Sequence, residues 1–391
     1  MRDRAILQDI AASFGTPTYV YDEARIAAQC RALSKSFKGF DIHYAMKANS
    51  NPAVLEAVRA CGLGVEAVSQ GELAMARRAG FPREKISFTC SSTSEDALRA
   101  AGRTAGRVHL DSLRQIELWG RTRLNSSISL RLNQGIGGGH HAHVITGGPD
   151  SKFGITLKDL PRARALAKRY GLTVTGLQQH LGSNILDEEL FLRGAKRLLA
   201  TAREFSDLEY LDYGGGLGIP YNPNDRQLNI AKLGRELAKL SAAHERTAGK
   251  KLRFAIEPGR YVVGEAGTFL VTVTDIKATA KHSFVGVDSG FNHLLRPAMY
   301  DSYHEIENVS RSRGREERVT VVGNVCESGD VFARGRKIIA PRIGDVLAIR
   351  TAGAYGFSMA SNYNLRRLPA EVLVRGGKAR DVSFAPGRYA R

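Results

Sequence analysis

Eight short apolar runs rich in β-branched residues recur between residues 40 and 257, separated by longer stretches of helical periodicity. They are Asp41–Ala45, Gly64–Val68, Lys85–Thr89, Arg107–Leu110, Ser127–Leu132, Thr173–Gln179, Leu208–Asp212 and Leu252–Ile256. The helical stretches include Pro52–Ala60, Gly71–Gly80, Ser94–Ala101, Leu113–Gly120, Leu157–Tyr170, Glu188–Phe205 and Arg226–Ala248. Strands joined through helices run parallel, because each helix returns the chain to the edge where the previous strand began. Eight such units predict an α/β fold of the (β/α)8 TIM-like barrel type, with an open doubly wound sheet as the alternative. The polar residues favour the barrel. Lys47, Glu66, Arg131, His180, Gly214–Gly216 and Glu257 all fall at or just past the C-terminal end of a run, and a barrel gathers those ends on one face.

Local punctuation agrees with this reading. Asn51 before Pro52 is a helix N-cap followed by proline at the first helical position. Gly80 and Gly171 stand where helices close on a left-handed residue. Past about residue 268 the periodicity changes to two. Thr268–Ile276, Ser283–Val287, Val319–Val322, Val346–Ile349 and Glu371–Val374 alternate with Gly, Pro and charged turns, an all-β pattern. Pro17–Tyr21 is also strand-like and is expected to pair with this later sheet. The expected organisation is a barrel over residues 33–267 and a discontinuous β-rich domain built from 1–32 and 268–391.

Composition narrows the function. No stretch approaches the roughly 20 apolar residues that a membrane helix needs, and MRDRAILQDIAASFGTP lacks the apolar run of a secretory leader. Cys30, Cys61, Cys90 and Cys326 are far apart, without a CxxC pair, which fits a reducing, cytoplasmic setting and no metal site. The net charge of +18 admits either nucleic acid or an anionic small molecule as partner. The densest basic stretch, residues 310–318, contains acids and no aromatics, so no nucleic-acid partner is expected. His140, His141 and His143 cluster in a glycine-rich loop, yet no neighbouring carboxylate or thiol completes a coordination set.

Several runs carry chemistry. In HYAMKAN a lysine ends a strand among apolar residues; burial there is expected to lower its pKa, as imine formation requires. Pairing with an acid is the ordinary alternative. In DYGGGLGIP, glycines directly after a strand let backbone N–H groups approach a phosphate; a plain tight turn uses the same residues. Glu257 in IEPGR is placed to hold a pyridinium nitrogen protonated, and Arg260 offers a fork for a carboxylate. His180 and Ser183 in QHLGS suit ring stacking and a phosphate oxygen. Cys326 in CESGD can supply a proton, and Tyr355 lies in a second glycine-rich run.

Taken together, YAMKAN, HLGSN, GGGLGIPY, EPGR, LRPAMYDSYHEI, CESGDVF and GAYGFSMASNYN resemble, in this order, the fold-type III pyridoxal-phosphate decarboxylases. That family includes ornithine and arginine decarboxylases and shares its barrel with alanine racemase, so the resemblance implies an alanine-racemase-like fold. It covers Pro17 to about Val374. It implies that Lys47 carries pyridoxal 5'-phosphate on its ε-amine, that His180 stacks on the ring and that Glu257 bonds the pyridine nitrogen. Ser183, Gly215, Gly216, the backbone of Gly259 and Arg260, and Tyr355 would hold the phosphate. Glu66, Glu72 and Arg131 match positions near the ring. Arg260, Arg296, Tyr300, Glu327 and Tyr355 would contact substrate, and a homodimer would bring Cys326 and Glu327 into the partner's barrel.

Two arginines and one glutamate for the far end of a substrate select an amino acid that carries a second carboxylate and a second amine. The expected reaction is decarboxylation of meso-2,6-diaminopimelate to L-lysine and CO2, since ornithine would leave the arginines unpaired; the alternative is a related fold-type III decarboxylase acting on another basic amino acid or a specialised-pathway intermediate. The resemblance does not explain the basic charge, and the arginine-rich end from Gly387 replaces the longer tail expected of the family.

Overall fold

The computed structural model describes residues 3–123, 126–139, 148, 151–280 and 283–384. His140, His141 and His143 lie outside the described residues. Helix α1 (Arg4–Phe14) and strand β1 (Thr18–Asp22) come first, followed by α2 (Glu23–Ser36). Eight parallel strands then close on themselves: β2 (Phe40–Ala45), β3 (Gly64–Ala67), β4 (Ile86–Thr89), β5 (Arg107–Leu110), β6 (Ser127–Asn133), β7 (Thr173–Gln179), β8 (Tyr210–Asp212) and β9 (Arg253–Ile256). Each pairs in parallel with its neighbours, and β9 returns to β2 through Ala255 and Ile256 opposite Asp41 and Ile42. The barrel is closed, so no strand edge is left exposed within it.

The helices start where the side chains say they should. Asn51 Oδ1 accepts from the Ala53 N–H at 2.9 Å, with Pro52 in the first turn of α3 (Pro52–Ala60). Ser69 caps α4 (Gln70–Arg78) through the Glu72 N–H, and Glu72 reaches back to the Val68 N–H at 2.7 Å. This reciprocal cap buries an acid close to the barrel mouth. Gly80 and Gly171 have φ of +79° and +65°, the left-handed conformation expected of helix-closing glycines.

Two helical segments differ from the sequence reading. Leu157–Tyr170 divides into a 3-10 turn (Leu157–Asp159) and a helix over Leu160–Arg169, which opens with Pro161 in its first turn. The Arg226–Ala248 helix begins only at Ile230, where Asn229 accepts from the Lys232 N–H, while Arg226 is drawn into an ion pair with Glu188.

The later strands form a nine-stranded sheet. In chain order they are β10 (Gly267–Ala278), β11 (Ser283–Val287), β12 (Ile306–Asn308), β13 (Glu316–Val322), β14 (Val331–Ile339), β15 (Val346–Ile349), β16 (Ala370–Arg375) and β17 (Lys378–Asp381). Strand β1 lies between β10, antiparallel, and β16, parallel, so the N-terminal run does join this sheet. Helix α1 covers one face of it, packing Leu7 and Ile10 against Val20, Leu270, Ala348 and Val372. The sequence reading missed β12, β14, β17 and α1. Among the described residues no helix is long and apolar enough to cross a membrane.

Candidate active site

A cavity of about 190 Å³ opens at the C-terminal ends of the barrel strands, where the later sheet's Tyr355 loop meets the barrel. Its wall is built from Ala45, Lys47, His180, Gly182, Ser183, Gly216, Leu217, Glu257, Gly259, Arg260, Arg296, Tyr300, Tyr355 and Met359. Ten of the residues singled out in the sequence therefore share one wall: Lys47, His180, Ser183, Gly216, Glu257, Gly259, Arg260, Arg296, Tyr300 and Tyr355.

Lys47 sits in a single 3-10 turn (Met46–Ala48) that ends β2. Its Nζ donates to Glu66 Oε2 at 2.6 Å; Glu66, from β3, is 2% exposed. Burial pulls the ammonium's pKa down, but the charges of Glu66, Tyr355 and Glu257 outweigh it and hold the group well above the usual lysine range. The lowered pKa expected from burial alone is thus corrected. A carboxylate on the adjacent strand keeps the amine charged until that proton is taken away. Glu72 stands behind, its pKa pushed up to about 7 by burial, with the Glu66 charge adding to the shift.

Glu257 follows β9 and is 3% exposed. Gln178 Nε2 donates to its Oε2 at 2.8 Å, while Oε1 has no hydrogen-bond partner. Burial, then the charges of Asp212 and Glu66, push its carboxyl far above the ordinary range. An orphaned buried carboxylate oxygen in a cavity wall is expensive unless a ligand supplies a proton or a positive charge.

His180 is fixed by the glycine turn, since the Gly215 N–H donates to His180 Nδ1 at 3.2 Å. The neutral ring therefore carries its proton on Nε2, and burial with the charges of Lys47 and Arg131 holds the imidazole well below its usual pKa. Gly215 thus directs its N–H at the histidine, which ties the ring to the glycine turn. The turn is still glycine for a reason. A Cβ on Gly215 would lie 2.2 Å from the Glu257 carbonyl oxygen, and Gly216, at φ +105°, would lie 2.6 Å from the Gly182 carbonyl oxygen. The turn is a cradle that side chains would fill.

Arg260 and Arg296 are 5% and 1% exposed. Arg260 donates to Tyr221 Oη at 2.7 Å and to Ser183 Oγ at 2.9 Å, with its guanidinium 4.8 Å from the Tyr355 ring centre. Arg296 lies 4.3 Å from the centre of the Tyr221 ring and donates to Ser302 Oγ at 3.2 Å. Its other bond is to His304 Nε2 at 3.0 Å; His304 Nδ1 donates to the Arg350 carbonyl, which leaves Nε2 as the acceptor. Burial lowers the Arg296 pKa to about 10, with Arg260 nearby adding to the shift. Among the described residues neither guanidinium has a carboxylate partner. Two buried positive charges without a counter-ion describe an anion site.

Three of the residues read from the sequence lie elsewhere. Arg131 stands behind the wall, paired with Asp111 at 3.3 Å and stacked over Phe153. Cys326 and Glu327 are exposed in the loop between β13 and β14 and do not line the cavity of their own chain. Cys326 Sγ lies 3.6 Å from Asn364 Oδ1, and Glu327 accepts from Tyr363 Oη at 2.6 Å. Tyr221, His304, Ser302 and Gln178 were not singled out beforehand. Tyr221 and His304 lie within the quoted runs GGGLGIPY and LRPAMYDSYHEI, but nothing in a linear run shows that a tyrosine brackets two arginines.

The site fits pyridoxal phosphate on this chain's own atoms. An amine, a buried carboxyl, a neutral ring-fixed imidazole, a glycine cradle and two guanidiniums without a carboxylate partner among the described residues line one space. Residues 23–264 match the family model for the pyridoxal-binding domain of pyridoxal-dependent decarboxylases. A diaminopimelate decarboxylase from Methanothermobacter thermautotrophicus is 43% identical, covering 95% of this chain and 89% of its own. A crystal structure of a diaminopimelate decarboxylase superposes with a TM-score of 0.91 at 33% identity, covering 96% of this chain and 93% of the other. The Helicobacter pylori diaminopimelate decarboxylase, crystallised with L-lysine, gives a TM-score of 0.89 at 28% identity, covering 98% of each chain.

Proposed function

The chain belongs to the pyridoxal-dependent decarboxylases, and from that premise we propose that it decarboxylates meso-2,6-diaminopimelate to L-lysine and CO2. The observation that carries the substrate is the pair of buried guanidiniums, Arg260 and Arg296, which share a wall with Lys47 and have no carboxylate of their own. A substrate with a second carboxylate supplies what they lack; ornithine does not. Leaving one buried arginine uncompensated costs about 3–5 kcal/mol, a discrimination of roughly a hundredfold or more.

Pyridoxal phosphate supplies, when bound, an aldehyde for amines and a protonated pyridine that withdraws the electron pair left as CO2 departs. The residues divide the remaining work. Glu66 takes the proton from Lys47 Nζ, freeing the amine. Glu257 would hold a proton on the pyridine nitrogen, and the neutral His180 ring would bound the site beside the pyridine. Ser183, Gly216, Tyr355 and the backbone of Gly259 and Arg260 hold the phosphate. The side chains of Arg260 and Arg296 clamp the distal carboxylate, with Tyr300 beside them.

The distal ammonium and the proton delivered to Cα are assigned to Glu327 and Cys326 of a second copy in a homodimer. Both residues are exposed in the single chain, and the cavity lacks a carboxylate for that ammonium. We place the enzyme in the cytoplasm, consistent with its four free thiols.

The purified protein, loaded with pyridoxal phosphate and given meso-diaminopimelate, is expected to release CO2 and L-lysine in equal amounts. L-ornithine is expected to react at least a hundredfold more slowly. Equal turnover of the two substrates, or release of D-amino acid without gas, would overturn the assignment. Lys47→Arg should remove both turnover and the yellow absorbance of the bound cofactor.

A further inference from the structure

Directly beneath Glu257 the barrel interior holds two more ionisable side chains with unused polar atoms. His109 projects inward from β5 and Asp212 from the end of β8; they are 1% and 0% exposed. His109 Nε2, Asp212 Oδ2 and Glu257 Oε1 each lack a hydrogen-bond partner. One ligand atom from each residue lies within 4.8 Å of the others, and His109 Nε2 is 3.9 Å from Glu257 Oε1. The other atoms of the three are committed. His109 Nδ1 bonds Ser129 Oγ at 2.9 Å, Asp212 Oδ1 accepts from the Gly214 N–H at 2.8 Å, and Glu257 Oε2 accepts from Gln178. The unused His109 Nε2 and Glu257 Oε1 therefore face each other with Asp212 beside them, and all three residues are at most 3% exposed.

Two carboxylates this close in a dry interior cannot both ionise; they share a proton. We propose that Asp212 is the proton store for Glu257. When the pyridine N–H arrives beside Glu257, its proton passes to Asp212 Oδ2 within the cluster and does not leave for solvent, with His109 held by Ser129 as the positioning residue between them. The proposal rests on the reading of Glu257 as the partner of the pyridine nitrogen. No bond other than O–H changes: Glu257 loses one proton and becomes the counter-ion, and Asp212 gains it.

The surroundings support the transfer. In the cofactor-free chain burial pushes both carboxyls up, Glu257 far above its ordinary range and Asp212 to about 7 against the pull of the Gly214 N–H and Arg107, so the pair holds a proton to pass between them. The charged groups facing the cluster are Lys47 and Glu66 from the mouth, and Arg107, Asp41 and Arg131 from neighbouring strands. His109 is held neutral by burial and by Arg107, His43 and Arg131, so it can bridge without adding charge.

The test counts protons released when the cofactor-free protein is loaded with pyridoxal phosphate, by calorimetry in buffers of differing ionisation enthalpy. At about pH 8, Asp212→Asn is expected to release about one proton per site more than wild type, because the amide cannot accept it. This variant keeps the oxygen that caps Gly214. The wild type alone offers a second measure that needs no variant: its release should rise by about one proton as pH falls from 8 to 6, through the titration of Asp212.

Equal counts in wild type and variant, or a flat wild-type profile, would overturn the store. So would a divalent ion found in the purified protein at one per chain, since the three atoms would then be its ligands. The 15N shift of the ring nitrogen in the loaded wild type separates the two levels of the argument. An unprotonated ring nitrogen would remove the Glu257 reading and the store with it; a protonated ring with equal proton counts would remove the store alone.

Discussion

Arg296 places a full positive charge where water reaches almost none of it, and its bonds go to a neutral imidazole, a hydroxyl and the face of a tyrosine. Such a charge is a burden to the free enzyme and an asset only when an anion enters. Function and stability should therefore part company at this residue. Arg296→Met, similar in length and apolar, is expected to lower kcat/KM for meso-diaminopimelate by about 10²–10³, the 2–5 kcal/mol typical of truncating a buried charge partner. The melting temperature of the cofactor-free protein should not fall. Steady-state kinetics beside differential scanning calorimetry would check both halves; a variant that loses stability in step with activity would mean that Arg296 is structural. The Gly215 turn makes the opposite case. Gly215→Ala drives a methyl group into the Glu257 carbonyl at 2.2 Å, so cofactor retention on gel filtration should be lost together with activity.

At the scale of elements, β1 ties the ends of the chain together through one buried acid. Glu371, on β16, is 0% exposed and accepts from Tyr21 Oη of β1 at 2.7 Å and from the Phe384 N–H at 3.3 Å. Burial raises its pKa to about 7, against hydrogen bonds that favour the ionised form. The folded pKa lies above the unfolded one, so the native state binds the extra proton. Its contribution is whole below about pH 4.5 and is lost as pH rises through about 7, by roughly 3 kcal/mol at most. The wild-type melting temperature should therefore decline between about pH 5 and 8, and Glu371→Gln should flatten that decline. Thermal melts across this range decide it; parallel slopes would show that Glu371 is ionised in the fold.

The same scale shows what the sequence could reveal. Short runs set between helical periods mark the barrel strands, and Arg107–Leu110 and Thr173–Gln179 match their observed bounds residue for residue. Strand β14 escaped because Arg334, Arg336 and Lys337 interrupt it, as an edge strand of the later sheet permits. The site residues were legible because a barrel collects strand ends. The charge state of Lys47 was not, because its partner Glu66 lies one strand away and only the β2–β3 pairing brings them together.

For the whole molecule, the decisive question is whether one chain makes a complete site. Among the described residues of a single chain the cavity wall holds Lys47, Arg260, Arg296 and one carboxylate, Glu257, with no second one to meet a distal ammonium. Glu327 and Cys326 stand exposed in the loop between β13 and β14, bonded to Tyr363 and Asn364, and the next residue, Leu365, is 93% exposed. A fully exposed leucine next to two chemically capable side chains fits a surface that a second copy covers. If the sites are shared, Lys47→Ala and Glu327→Ala damage different halves of each site. Each variant alone should be inactive or nearly so. Mixed under conditions that allow subunits to exchange, half of the dimers become heterodimers. In each of those, one site carries both lesions and the other carries neither. Activity should return to about a quarter of the wild-type value. A mixture that stays as inactive as its parts would show that Glu327 acts on its own chain, or not at all, and the distal ammonium would then need a different partner.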